Sequence, residues 1–143
     1  NNIGRIKDEE TFRFCTYLLK EMKFDYGAIV VPFVYNENKE IKKAAYYSLG
    51  QLENKRDYVD TFIVGLQDSS NKVIHAALQA VNGIKEKKLL PHYKMIAEKF
   101  PKEQDYILSN LNLNLKVFGL SATTIKSINI DAINEKKWFE FWK

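Results

Sequence analysis

Residues 41–52 read IKKAAYYSLGQL, and residues 73–84 read VIHAALQAVNGI. Aligned at an offset of 32, the two stretches place apolar or small side chains at the same positions. Ile41, Ala44, Ala45, Ser48, Leu49 and Leu52 answer to Val73, Ala76, Ala77, Ala80, Val81 and Ile84. Spacing of i, i+3, i+4, i+7, i+8 and i+11 is one stripe of an α-helix. The paired alanines shorten the distance at which a second helix can lie. Two helices written for the same neighbours imply stacked units.

The register continues backwards. Lys23-Phe24-Asp25-Tyr26 aligns with Lys55-Arg56-Asp57-Tyr58, and Val30, Val31 and Val34 align with Phe62, Ile63 and Leu66. Asn36 aligns with Asp68, each in a polar turn (NENK, DSSN) just ahead of an Ala-Ala helix. Asp25 and Asp57 stand where a carboxylate would accept the first orphan N–H groups of a helix. The unit reads as helix, basic turn, Asp cap, second helix, polar turn.

Periodicity predicts helices over residues 9–23, 26–35, 39–52, 57–67, 71–84, 89–100 and 103–118. Two stretches pull the other way. GAIVVPFVY is β-branched and carries Pro32, so local propensity leans to strand or a kinked helix. Its alignment with DTFIVGLQD favours helix. NLNLNLKVF, residues 110–118, alternates like a strand. Leu108, Leu111, Leu115 and Phe118 also fit a helical stripe that Gly119 would close, and helix is the preferred reading.

A period of this length built from paired helices is the signature of an α-solenoid. NKEIKKAAYYSLGQL and NKVIHAALQAVNGI, with Gly50 and Gly83 near their ends, resemble the HEAT-like (armadillo-like) repeats of bacterial proteins. The resemblance covers residues 25–100 and leaves both ends uncovered. It implies an all-α superhelix of about three helical pairs and a macromolecular binding surface. Some proteins of that kind are pigment lyases or DNA glycosylases. The aromatic and acidic channel expected of such a glycosylase finds no counterpart, because Trp138 and Trp142 both lie outside the repeats. Nothing marks a chromophore pocket.

The chain has 143 residues, 45% apolar and 28% charged, the profile of one ordinary globular domain. The expected division is a repeat domain over 1–119 and an irregular aromatic extension over 120–143. Cys15 is the only cysteine, which excludes an internal disulfide and a Cys-based zinc site and favours a reducing, cytoplasmic setting. No apolar run reaches the roughly 18 residues of a membrane span. NNIGRIKDEE has neither the apolar core of a secretion signal nor an initiator methionine. A processed product, an ordered fragment or part of a longer protein is expected.

Catalytic chemistry finds no foothold in these residues, and no cofactor or metal is expected. His75 and His92 belong to no metal or nucleophile spacing. Cys15, among Phe12, Phe14, Tyr17 and Leu18, reads as a small buried hydrophobe. Asp8, Glu9 and Glu10 read as acids favoured at a helix start. The glycines are scattered and form no phosphate loop.

Two binding features remain. Lys23, Lys55, Arg56, Lys85, Lys87 and Lys88 fall in the turns within units, which a solenoid would align as a basic ridge. Such a ridge docks phosphates or an acidic protein surface, or is simply a solvated edge. The formal charge of +4 suits either. The second feature is the tail WFEFWK, where Trp138, Phe139, Phe141 and Trp142 crowd together. Each buried aromatic is worth roughly 1.5–3 kcal/mol, so the tail is expected in a groove. The options are a cap on its own repeats, a groove in another copy or a partner, or a membrane interface. The expected function is a noncatalytic protein-interaction module; the alternative is nucleic-acid binding through the ridge.

Overall fold

A computed structural model describes residues 7–100, 105–129 and 131. All regular structure among the described residues is helical. The chain divides into two compact units, Asn1–Val81 and Asn82–Lys143. The division falls inside the run expected to be one helix over 71–84.

The first unit opens with α1, Glu9–Glu21. Asp8 caps it, its Oδ1 accepting the Thr11 N–H at 2.8 Å, and Glu9 and Glu10 fill the first turn. The helix ends in a Schellman turn. Lys23 N–H donates to the Lys20 carbonyl and Phe24 N–H to that of Leu19, with Lys23 left-handed at φ 53°. Phe12 is fully buried and stacks at a tilt on Phe33, centroids 4.8 Å apart.

GAIVVPFVY is helical but split. α2, Gly27–Val30, passes into a 3-10 turn over Val31–Tyr35. Pro32 has no N–H to return to Ala28, so the α-ladder cannot run through it. The expected Asp cap is real in part: Asp25 Oδ1 accepts the Gly27 N–H at 3.0 Å. Its counterpart Asp57 sits inside a 3-10 turn, Lys55–Tyr58, and the following α4, Val59–Leu66, has no side-chain cap.

The two quoted stretches form α3, Lys39–Gly50, and α5, Asn71–Ala80. Their stripe is the core: Ile41, Ala44, Ala45, Ser48 and Leu49 are buried, as are Val73, Ala76, Ala77, Ala80, Val81 and Ile84. α3 packs along α5, which also receives α4. Gly50 lies against Ala80, and Gly65 lies beneath Tyr46 beside Ala77. The repeat extends to polar contacts. Asn36 Oδ1 accepts from Asn38 N–H, and Asp68 Oδ1 from Ser70 N–H, each at 2.8 Å and 32 residues apart. Glu40 and Lys72, also 32 apart, pair at 3.5 Å.

The second unit holds α6, Leu90–Lys99, after a 3-10 turn at Lys87–Leu89, then α7, Asp105–Lys116, and α8, Ala122–Lys126. NLNLNLKVF is therefore helical. Its buried stripe is Ile107, Leu111, Leu115 and Phe118, with Ile107 in the place expected for Leu108. Gly119, φ 69°, closes the end as expected, in a second Schellman turn through Leu115 and Lys116. α8 lies within residues 120–143, the stretch expected to be irregular, and it is helical for local reasons. Ser121 caps α8 by accepting the Thr124 N–H, and Asn112 Oδ1 accepts that of Ala122 at 2.7 Å. Ala122 and Ile125, one helical turn apart, are the buried face that this short helix needs.

Candidate interaction surface

α1 is the element on which exposed apolar surface concentrates. Phe12 and Thr16 face the core, whereas Phe14 (61% exposed), Leu18 and Met22 (75% exposed) stand on the outer side. Spacing of i, i+4 and i+8 aligns these three as one stripe. Tyr17 and Phe24 extend the exposed apolar set, and Cys15 beside it is half-buried rather than buried.

The other flank of α1 meets α3 in a trough. A hollow of about 230 Å³ is lined by Arg13, Tyr17 and Lys20 from α1 and by Tyr47 and Ser48 from α3, with Gln51 following. It adjoins a hollow of about 520 Å³ lined by Lys23, Phe24, Asp25 and the Leu52–Asn54 turn. Lys20, Tyr26 and Gln51 border both. The floor is rigid. Tyr26 is buried and its hydroxyl donates to the Ser48 carbonyl at 2.9 Å. Asp25 Oδ2 accepts from the Asn54 amide at 3.1 Å, tying the two basic turns together. Glu9 pairs with Arg13 Nε at 2.7 Å, which leaves the other guanidinium donors available.

The ridge residues are distributed unevenly. Lys23 and Arg56 are exposed, and Lys23 borders the larger hollow. Lys55 is half-buried, with its ammonium donating to the Ala80 carbonyl at the end of α5 at 3.1 Å. Burial holds its pKa below the usual lysine value. In the second unit Lys85 and Lys88 are exposed, and Lys87 is half-buried in the 3-10 turn before α6. Trp138, Phe139, Phe141 and Trp142 lie outside the described residues.

His75 and His92 are both half-buried. Burial lowers the pKa of each, and Lys43 adds to the effect at His75. Among the described residues no group of three or more His, Cys, Asp or Glu could hold a metal ion, and no helix is long and apolar enough to cross a membrane.

Sequence reasoning missed the outer stripe and the trough. The signals were present: Phe14, Leu18 and Met22 have helical spacing of their own, and Tyr47 falls off the α3 core stripe. An aromatic off the buried stripe of a repeat helix is the cue. Compared with known proteins, the chain matches no family model, no curated protein and no solved structure.

Proposed function

We propose that the chain is a noncatalytic, HEAT-like solenoid module that presents the outer face of α1 to a protein partner. The observation that carries this reading is the bare stripe of Phe14, Leu18 and Met22. Isolated exposed apolar residues are ordinary, but a contiguous set on one helix face marks an interaction site. Apolar anchors at this spacing suit packing against a second helix. The solenoid component rests on the 32-residue recurrence of buried positions and of the Asx turns at Asn36 and Asp68.

A photo-crosslinking residue at Met22, introduced into the full chain in its native cells, tests the reading. One discrete crosslinked protein is expected. Its capture is lost when Phe14 and Leu18 are also replaced by serine, while the melting temperature stays unchanged. The opposite pattern sinks the proposal: crosslinks only within the chain itself, with serine variants that melt earlier, would mean that the face is covered from within.

A further inference from the structure

The trough on the opposite flank of α1 has a different chemistry from the apolar stripe. Tyr17 and Tyr47, contributed by two different helices, border one hollow and are 58% and 55% exposed. Neither makes a hydrogen bond or an aromatic ring contact with another described residue, and both remain more than half exposed. The cations beside them come from α1 alone. Arg13 and Lys20 are separated by about 10 Å of helix axis, a length that a stacked strand covers in about three nucleotides. Gln51, at the end of α3, adds an amide that can donate and accept.

We propose that this trough binds single-stranded nucleic acid, with bases stacked on Tyr17 and Tyr47 and phosphates held by Arg13 and Lys20. The proposal goes beyond the protein-partner reading and uses a different face of the helix. Alternating cations and open aromatic faces are the combination that single strands require. An acidic peptide would satisfy the cations and leave both rings idle. An apolar peptide would cover the rings and bury two charges. A duplex keeps its bases stacked inside, away from the tyrosines. The larger hollow is less basic, because Asp25 and Glu53 offset Lys20 and Lys23 there. Phosphate contacts are accordingly assigned to the smaller hollow, whose lining contains no carboxylate.

Fluorescence anisotropy of a labelled short oligouridylate, titrated with the intact chain over a salt series from about 50 to 200 mM, tests this. Saturable binding that weakens with salt is expected. Tyr17→Ala and Tyr47→Ala should each weaken it about tenfold, whereas Tyr17→Phe keeps the ring and the affinity. Lys20→Gln should reduce the slope of log affinity against log salt by about one. Phe14→Ala, on the outer stripe, should change nothing. Circular dichroism melts establish that each variant is folded, and Tyr47→Ala carries the stacking test if Tyr17→Ala is not. The proposal is overturned by an absence of saturable binding at the lowest salt or by tyrosine variants that bind like the parent. Equal affinity for a duplex of the same length, or for polyglutamate, overturns it as well. Failure of the Met22 crosslink leaves this result untouched, since Phe14, Leu18 and Met22 do not line the trough.

Discussion

The Gly50 Cα faces the Ala80 main chain so closely that a Cβ built on Gly50 would stand 2.8 Å from the Ala80 Cα. Gly50 is the last residue of α3 and Ala80 the last of α5. The approach of the two repeat helices is therefore set at their C-terminal ends by the absence of a side chain. Gly50→Ala should destabilise the protein by about 1–3 kcal/mol, the usual cost of overpacking. Ala80→Gly should not rescue it, because the nearest obstruction is backbone. Urea denaturation of the single and double variants decides; full rescue would mean that the Ala80 methyl, not the main chain, is the barrier.

Lys23 tests backbone strain apart from packing. It holds φ 53° in the Schellman turn that ends α1, a conformation natural to glycine. Lys23→Gly should raise stability by about 0.5–1 kcal/mol, and Lys23→Ala should not. Gly119, at φ 69° with nothing within 4 Å of its missing Cβ, is the reverse case. Gly119→Ala should cost about 1 kcal/mol through backbone conformation alone. Denaturation midpoints that move the other way would place the strain elsewhere.

The residues that answer to a helical period are the ones whose fate is legible in the sequence. Every stripe position from Ile41 to Leu49 and from Val73 to Ile84 is buried, because period and burial are the same fact in an amphipathic helix. Helix ends are less legible. Residues 81–84 were expected in helix but follow α5 as a turn, since Gly83 takes φ 82° and leaves the α region. Residues 31–35 are 3-10 rather than α because of Pro32, and the helix expected from 57 begins in a 3-10 turn, Lys55–Tyr58, with turn hydrogen bonds such as Asp57 N–H to Asn54 O. The trough is illegible for a different reason. Tyr17 and Tyr47 are 30 positions apart, and only the packing of α1 on α3 brings them to one hollow.

Two tyrosines should respond oppositely to loss of their hydroxyls. Tyr93 is fully buried, its ring edge-on to Phe118 at 6.4 Å, and among the described residues its hydroxyl has no hydrogen-bond partner. An unsatisfied buried hydroxyl is unfavourable, so Tyr93→Phe should raise stability by about 1 kcal/mol. Tyr26→Phe removes the bond to the Ser48 carbonyl and should lower stability by about 1 kcal/mol. That carbonyl keeps a second donor, the Gln51 N–H at 3.1 Å, which limits the loss. Thermal melts of the two variants in one buffer make the comparison; a drop for Tyr93→Phe would reveal a partner for its hydroxyl.

The pH dependence follows from His75 and His92. Burial lowers both pKa values from the ordinary 6.5, so the folded chain prefers the neutral imidazoles. Above about pH 6.5 the histidines are neutral in folded and unfolded chains alike, and the full stability is present. As pH falls through that value, the unfolded chain takes up protons that the folded chain declines, and stability drops until the folded pKa values are passed. The two carboxylates with displaced values move away from this window. Asp8, held low by the Thr11 N–H, and Glu40, held low by Lys43, titrate below their ordinary values of 3.8 and 4.5. The melting temperature should thus be flat above neutrality and decline as pH falls below about 6.5. In the double variant His75→Gln, His92→Gln that decline should flatten. A parent protein equally stable across the window, or a variant that keeps the full decline, would show that the half-buried imidazoles do not govern it.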